Sequence, residues 1–101
     1  MGIDVYWKNE NGQVLGSVLD SGILTKMCNL LDRQSSSICL RFIDPAGDAC
    51  FNQLQLPLLL TEFYQLQAAV SGPRAKSHVE NIVRLLESAA QVHTYIWFIG
   101  D

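Results

Sequence analysis

Apolar and polar residues alternate with a period of two near the beginning of the chain, over residues 3–8. Such alternation is typical of a β-strand, whose successive side chains point to opposite faces. Residues 9–12 end in Asn-Gly, a pair that tolerates positive φ, and residues 13–18 can return as a second strand. Gly16 weakens this second strand or marks a bulge in it. The pattern therefore predicts an opening β-hairpin.

A helical pattern follows the hairpin. Asp20 and Ser21 can cap a helix, because their side-chain oxygens can accept hydrogen bonds from the free N–H groups of its first turn. Apolar residues then recur at helical spacing, at positions Ile23, Leu24, Met27, Leu30 and Leu31. The polar run 34–37 interrupts the spacing, so the predicted helix ends there.

A second hairpin is predicted after this helix. Residues 38–43 are rich in β-forming side chains. Residues 44–47 read Asp-Pro-Ala-Gly, which fits a type I turn with Gly47 in the left-handed conformation. Residues 48–52 would then pair back antiparallel to the strand before the turn.

Two helices are predicted next. Pro57 suits the first turn of a helix, and residues 71–73, Ser-Gly-Pro, mark its end. One face of this helix carries Leu59, Phe63, Leu66 and Val70. The next helix begins near Ala75, and its apolar stripe consists of Val79, Ile82, Val83, Leu86 and Ala90. Glu80 and Arg84 on this helix are spaced for an ion pair.

The last predicted element is a strand over residues 92–99. Apolar residues occur on both of its sides, which is typical of a central strand. The order of elements predicts an α+β fold: a small mixed or antiparallel sheet with about three helices packed on one face. A chain of 101 residues is long enough for one core and too short for two, so we expect residues 1–101 to form a single domain.

Composition and charge narrow the function. Hydrophobic residues make up 49% of the chain and charged residues 17%, against a usual charged share of about 25%. We therefore expect a partner or another subunit to cover some apolar surface. The net charge is −3 and the cations are scattered singly. Nucleic-acid binding needs clustered cations against phosphates, so we expect no nucleic-acid partner.

The cellular location is predicted from what the sequence lacks. The longest apolar runs, 56–60 and 95–99, are too short to span a membrane, and the chain does not begin with a signal-peptide pattern. The three cysteines, Cys28, Cys39 and Cys50, lack the spacing of a zinc site. We interpret them as buried free thiols in a reducing cytoplasm, with no metal and no cofactor.

Catalytic motifs are not apparent in the sequence. It contains no phosphate-binding glycine loop and no nucleophile elbow. A cysteine and one of the two histidines, His78 and His93, could still meet in space as a nucleophile pair, although no activating feature is visible. Asp44 and Asp48 could bind a metal or act as acid and base. Their positions around a turn are the simpler explanation.

The sheet face opposite the helices is the candidate partner-binding surface. If helices cover the apolar sides of the strands, with Phe42 in the core, the other face displays Tyr6, Arg41, His93, Tyr95 and Trp97. Aromatic and arginine side chains are enriched at the centres of protein interfaces. An amphipathic outer face, or a second small core beneath a loop, would give the same pattern, because the grouping depends on strand register.

Three segments carry a resemblance to known proteins. Residues 39–52, CLRFIDPAGDACFN, together with Val92-His93-Thr94-Tyr95 and the closing Gly100-Asp101, resemble a group of small uncharacterised bacterial proteins. These proteins pair an Arg-Phe-Ile-Asp-Pro hairpin with an aromatic C-terminal strand, and the resemblance implies no activity and no site residue. In size and acidity the chain is also similar to small immunity proteins that neutralise bacterial toxins.

Three functions follow as hypotheses. The first is a non-catalytic cytoplasmic protein-binding module, of which an immunity or antitoxin-like inhibitor is one form. The second is a small enzyme or small-molecule binder that uses Arg41, His93 and a carboxylate. The third is a homo-oligomer whose surplus of apolar residues forms its subunit interface.

Overall fold

The computed structural model of the chain describes residues 2–20, 22–26, 39, 42–43 and 46–100, and it contains both strands and helices. The elements in chain order are β1 (Ile3–Asn9), β2 (Val14–Val18), α1 (Ile23–Lys26), β3 (Asp48–Asn52), α2 (Leu56–Ala69), α3 (Pro73–Ser88) and β4 (Thr94–Gly100). The four strands form one antiparallel sheet in the order β2-β1-β4-β3. The α+β class and the antiparallel sheet are thus confirmed.

The opening hairpin is confirmed in detail. Gly12 adopts a φ of 82° in the turn between β1 and β2, and the Asn9 side chain accepts hydrogen bonds from the backbone N–H groups of Asn11 and Gln13, both at 3.0 Å. The register shifts beside Trp7, which lies opposite Gly16 while the next residue lies opposite Val14. The predicted bulge at Gly16 is therefore present.

The last strand is central, as predicted. It pairs with β1 along seven residues and with β3 along five. The strand begins at Thr94, so Val92 and His93 precede it, contrary to the prediction. The Thr94 hydroxyl donates a hydrogen bond to the carbonyl of Gln91 at 2.6 Å, and His93 has a φ of 60°. The turn that leaves α3 therefore occupies these two positions.

The strand predicted over residues 38–43 is wrong at the positions that the structure describes. The N–H of Phe42 donates to the carbonyl of Cys39 at 3.1 Å, which is a tight turn. Phe42, expected in the core, is 62% exposed, whereas Cys39 and Ile43 are buried. This hydrogen bond closes a turn within the segment, so the backbone there is not extended for strand pairing. The two buried positions are those that the prediction placed on the face opposite Phe42.

The predicted second hairpin is also wrong, because the segment before its turn is not a strand at the described positions. β3 pairs with β4 rather than with the segment before the turn. Among the described glycines the left-handed φ values belong to Gly12, Gly22 and Gly72, so Gly47 does not adopt the conformation predicted for it. Asp44 and Pro45 lie outside the described residues.

The two long helices match their predicted spacing. The four residues predicted on one face of α2 are all buried: Leu59, Phe63, Leu66 and Val70. Val70 is the residue that caps the C-terminal end of the helix. α3 begins at Pro73, slightly earlier than predicted, and it buries Ala89 beyond its end in place of the exposed Ala90. The predicted ion pair is present, with Arg84 Nη2 2.6 Å from Glu80 Oε1. About three helices were predicted. The described residues contain two long helices and the single turn of α1.

The core lies between the helices and one face of the sheet, the inner face. The Phe98 ring of β4 packs edge-on against Phe51 and stacks on Phe63 of α2, with ring centroids 5.8 Å apart in both pairs. Ile3 and Val5 of β1 are fully buried on the same face. None of the helices in the described part of the chain combines the length and the apolarity that a membrane crossing needs.

Candidate interaction face

The middle of the opposite sheet face is a row of paired side chains. Tyr6 of β1 lies opposite Ser17 of β2 and opposite Trp97 of β4, and Trp97 lies opposite Cys50 of β3. Residues that are directly opposite in neighbouring strands share a face. These four residues form the middle row of what we call the outer face, and the two rings at its centre, Tyr6 and Trp97, are half-buried.

A lysine and a second tyrosine form the next row of the outer face. Lys8 lies opposite Tyr95, and Tyr95 lies opposite Asn52. Lys8 Nζ lies 5.4 Å from the ring centroid of Tyr6 and 5.7 Å from that of Trp97. Both distances are within the range of cation–π attraction. A positive charge therefore lies over the aromatic centre of the face.

The third row, on the other side of the aromatic centre, is acidic. Ile99 of β4 lies between Asp4 of β1 and Asp48 of β3. Asp4 Oδ1 accepts a hydrogen bond from the backbone N–H of Asp20 at 2.8 Å, and Asp48 is exposed. The outer face thus has a cationic row, an aromatic row and an acidic row along the strand direction.

Three of the five predicted partner-binding residues come together on this face. Tyr6, Tyr95 and Trp97 are neighbours in the two central strands. His93 lies just before β4 at the rim, 74% exposed, with its Nδ1 3.8 Å from the Glu10 carboxylate. Arg41 lies outside the described residues. Lys8 was missed as a site residue, although its position two residues after Tyr6 in an alternating strand already indicated the same face.

A second cluster of charged groups joins β1, α1 and α3. The Asp20 side chain has no solvent exposure. Its Oδ2 accepts from the N–H of Ile3 at 2.8 Å, and its Oδ1 accepts from the N–H of Ile23 at 2.7 Å; both oxygens lie 3.2 Å from the N–H of Leu24. His78 of α3 is 7% exposed, and its Nε2 lies 3.5 Å from Asp20 Oδ1. Asp20 is therefore the predicted helix cap, and its carboxylate also lies beside the buried His78 imidazole.

The pKa of Asp20 reflects this environment. Burial alone would raise the pKa, but the N–H groups of Ile3, Leu24 and Ile23 and the nearby His78 outweigh burial and lower the pKa below its ordinary value. A carboxylate that accepts several backbone hydrogen bonds is stabilised in its charged form. We refer to Asp20, His78 and the three donating residues as the Asp20 cluster.

A shallow surface depression of about 350 Å³ lies beside the Asp20 cluster, lined by Ile23, Pro73, Arg74, Ser77, His78 and Asn81. Two observations disfavour catalysis there. His78 Nε2 is buried, and it lies beside Asp20, so this nitrogen is not presented to a substrate. Backbone donors already bind both Asp20 oxygens, so Asp20 is not available as a base.

The described cysteines have different environments. Cys39 is buried, and burial, with the adjacent Glu62 carboxylate, raises the pKa of its thiol to about 11. A thiol with such a pKa is almost entirely protonated at neutral pH, which disfavours a nucleophilic role. Cys50 is exposed at the edge of the outer face, so the prediction of a buried thiol is wrong there. Cys28 lies outside the described residues.

Comparison with known proteins gives no match to this arrangement. No family model matches the chain, and neither does any curated protein or solved structure. We therefore infer the function of the chain from the outer face and from the chemistry of its three rows.

Proposed function

We propose that the chain is a non-catalytic protein-binding module whose outer face is the contact surface. The observation that carries this proposal is the group of half-buried aromatic side chains at the centre of that face, Tyr6, Tyr95 and Trp97, with Lys8 lying over two of them. The helices pack on the inner face, so the same strands have one structural side and one available side.

The chemistry of the outer face suits a protein partner. Tyrosine and tryptophan supply large contact areas at a low cost in side-chain entropy, and they are enriched among residues that dominate binding energy. Tyr6 and Trp97 lie on β1 and β4, each of which has a strand on both sides. Their backbones are therefore held in place before binding, which reduces the entropy that association costs.

A pocket that uses Arg41, His93 and a carboxylate has less support as the functional site. The side chains of His93 and Glu10 are 74% and 62% exposed, whereas small-molecule sites are concave and enclose most of the ligand. An inhibitor of the immunity or antitoxin kind remains one form of the proposed module. Both described cysteines are free, which suits our proposal of a reducing cytoplasmic location.

The test compares neighbouring residues of β4 that point to opposite faces. Trp97→Ala should weaken the complex of the purified protein with its partner by about 2 kcal/mol or more, the usual threshold for a dominant interface residue. Phe98→Ala should instead reduce the free energy of unfolding by about 3–5 kcal/mol, because it leaves a cavity between Phe51 and Phe63. Affinity is measured by titration and stability by urea denaturation.

Tyr64→Ala is the matched control. Tyr64 is a 45% exposed aromatic residue on α2, and its hydroxyl donates to Glu87 of α3, away from the outer face. This variant should bind normally. If Trp97→Ala and Tyr64→Ala bind the partner equally well, the outer face is not the contact surface.

A further inference from the structure

We infer that the partner of the outer face is a second copy of this chain, bound face to face as a two-sheet sandwich; the inference rests on the proposed function of that face. The observation behind it is the order of the three rows along the strands. The cationic row of Lys8 and the acidic row of Asp4 lie on opposite sides of the aromatic row of Tyr6 and Trp97. This order makes the outer face complementary to itself.

The symmetry follows from that order. A two-fold axis that runs between two packed sheets, parallel to the aromatic row, reverses the strand direction and leaves each strand above its own copy. The aromatic row then faces the aromatic row of the partner subunit. The rows on either side exchange places, so that Lys8 faces Asp4 of the partner subunit and Asp4 faces Lys8 of the partner subunit. One axis thus forms two opposite-charge contacts, as an isologous interface requires.

The other two-fold arrangement is disfavoured by charge. An axis parallel to the strands would place each row against the same row of the partner subunit. Asp4 and Asp48 of both copies would then gather at one end of the interface, and both copies of Lys8 at the other. Like charges brought together in an interface disfavour the arrangement. The distribution of charges therefore favours the axis parallel to the aromatic row.

The size of the outer face sets the expected strength. Two strands of seven residues and two of five, about 4.8 Å apart with a rise of about 3.3 Å per residue, cover about 380 Å². Stable complexes bury about 800 Å² on each partner. We therefore expect a dimer that forms reversibly with concentration, with a dissociation constant below about 1 mM, rather than a permanent dimer.

Charge reversal provides the first test. Sedimentation velocity over a concentration series should show a monomer–dimer equilibrium for the unaltered protein. Lys8→Glu and Asp4→Lys should each raise the dissociation constant about tenfold or more, because each creates two like-charge contacts. An equimolar mixture of these two variants should form dimers again, since both contacts between a Lys8→Glu copy and an Asp4→Lys copy join opposite charges. This recovery also shows that both variants fold.

Cys50 provides the second test. It lies in the aromatic row, so the proposed axis places it opposite Cys50 of the partner subunit across a sheet separation of about 10 Å. A short bis-maleimide should therefore cross-link a Cys28→Ser variant, in which Cys50 is the exposed thiol and Cys39 is buried. The cross-linked dimer should disappear when Cys50→Ser is added.

The possible outcomes separate this inference from the proposed function. A monomer at all concentrations, or a dimer that Lys8→Glu and Trp97→Ala leave unchanged, overturns the inference. If the monomer still binds a different protein in a Trp97-dependent way, the proposed function stands and the second copy is the wrong partner. If neither self-association nor binding of another protein depends on Trp97, both proposals fail.

Discussion

The outer face and the Asp20 cluster both contain charged groups, but the two regions satisfy these groups in different ways. In the cluster, the Asp20 side chain has no solvent exposure, and its oxygens accept hydrogen bonds from the backbone of β1 and α1. On the outer face, Lys8 lies over two half-buried aromatic rings. The cluster holds its own elements together, whereas the face carries aromatic area and charge at the surface of the sheet, where we propose that another molecule binds.

This difference explains why a buried charged residue is not, by itself, a sign of catalysis. A catalytic carboxylate needs a free oxygen that a substrate can reach. Asp20 meets the burial condition but not the second one, because backbone N–H groups bind both of its oxygens. The outer face, whose charged side chains are not fully occupied by backbone hydrogen bonds, is therefore a better candidate for function than the Asp20 cluster.

The largest expected effect tests the structural role of the cluster. Asp20→Ala should reduce the free energy of unfolding by about 3 kcal/mol or more, because it removes a helix cap and the carboxylate that accepts hydrogen bonds from the N–H groups of Ile3, Ile23 and Leu24. Urea denaturation measures the loss. Asp48→Ala, an exposed acidic residue on the outer face, is the control and should change stability by less than about 0.5 kcal/mol.

The pH dependence of stability sharpens the same comparison. The pKa of Asp20 is lower in the folded protein than its ordinary value of 3.8, so the unfolded chain takes up the proton more readily. The stabilisation by the charged carboxylate is then fully present above about pH 4 and is lost as the pH falls through the folded-state pKa. The difference in stability between the unaltered protein and Asp20→Asn should therefore shrink below pH 4. A constant difference between pH 2 and 7 would contradict this account.

The smallest expected effect compares the two sides of β2. A Cβ added at Gly16 would lie 2.7 Å from Leu85 Cδ1 and 3.5 Å from the Trp7 ring. The end of the Leu85 side chain can move, so Gly16→Ala should cost about 1 kcal/mol, at the lower end of the range for overpacking. Ser17→Ala, on the outer face opposite Tyr6, should stay within about 0.5 kcal/mol. Equal losses in two thermal melts would show that both sides of β2 are packed.

The parts of the fold that the sequence predicted are those in which local periodicity and burial agree. The alternation in β1 and β4 correctly assigned Trp97 to the outer face and Phe98 to the core, because each strand has one side against the helices. The segment around Phe42 was mispredicted because its β-forming residues indicated a strand. In the structure β3 pairs with β4 directly and occupies that edge of the sheet.

The candidate site could be predicted only in part. Tyr6, Tyr95 and Trp97 follow from alternation, but the row order that makes the face self-complementary depends on the exact pairing of β1 with β4. A shift of one residue would have placed Lys8 on the other face. The contact between Asp20 and His78 joins elements far apart in the chain, and no local pattern indicates such a contact.

The centre of the sheet is built from the first and the last of the described strands, with Ile3 opposite Gly100 and Asn9 opposite Thr94. During synthesis, β1 therefore has no central neighbour until residues 94–100 have been made. Closing so long a loop is entropically costly, and folding rates fall as contacts become less local. The β1–β2 hairpin can form early, but we expect the folding rate to be limited by the arrival of β4. Until then the edge of β1 that pairs with β4 has unpaired backbone groups, and the chain is most prone to aggregate.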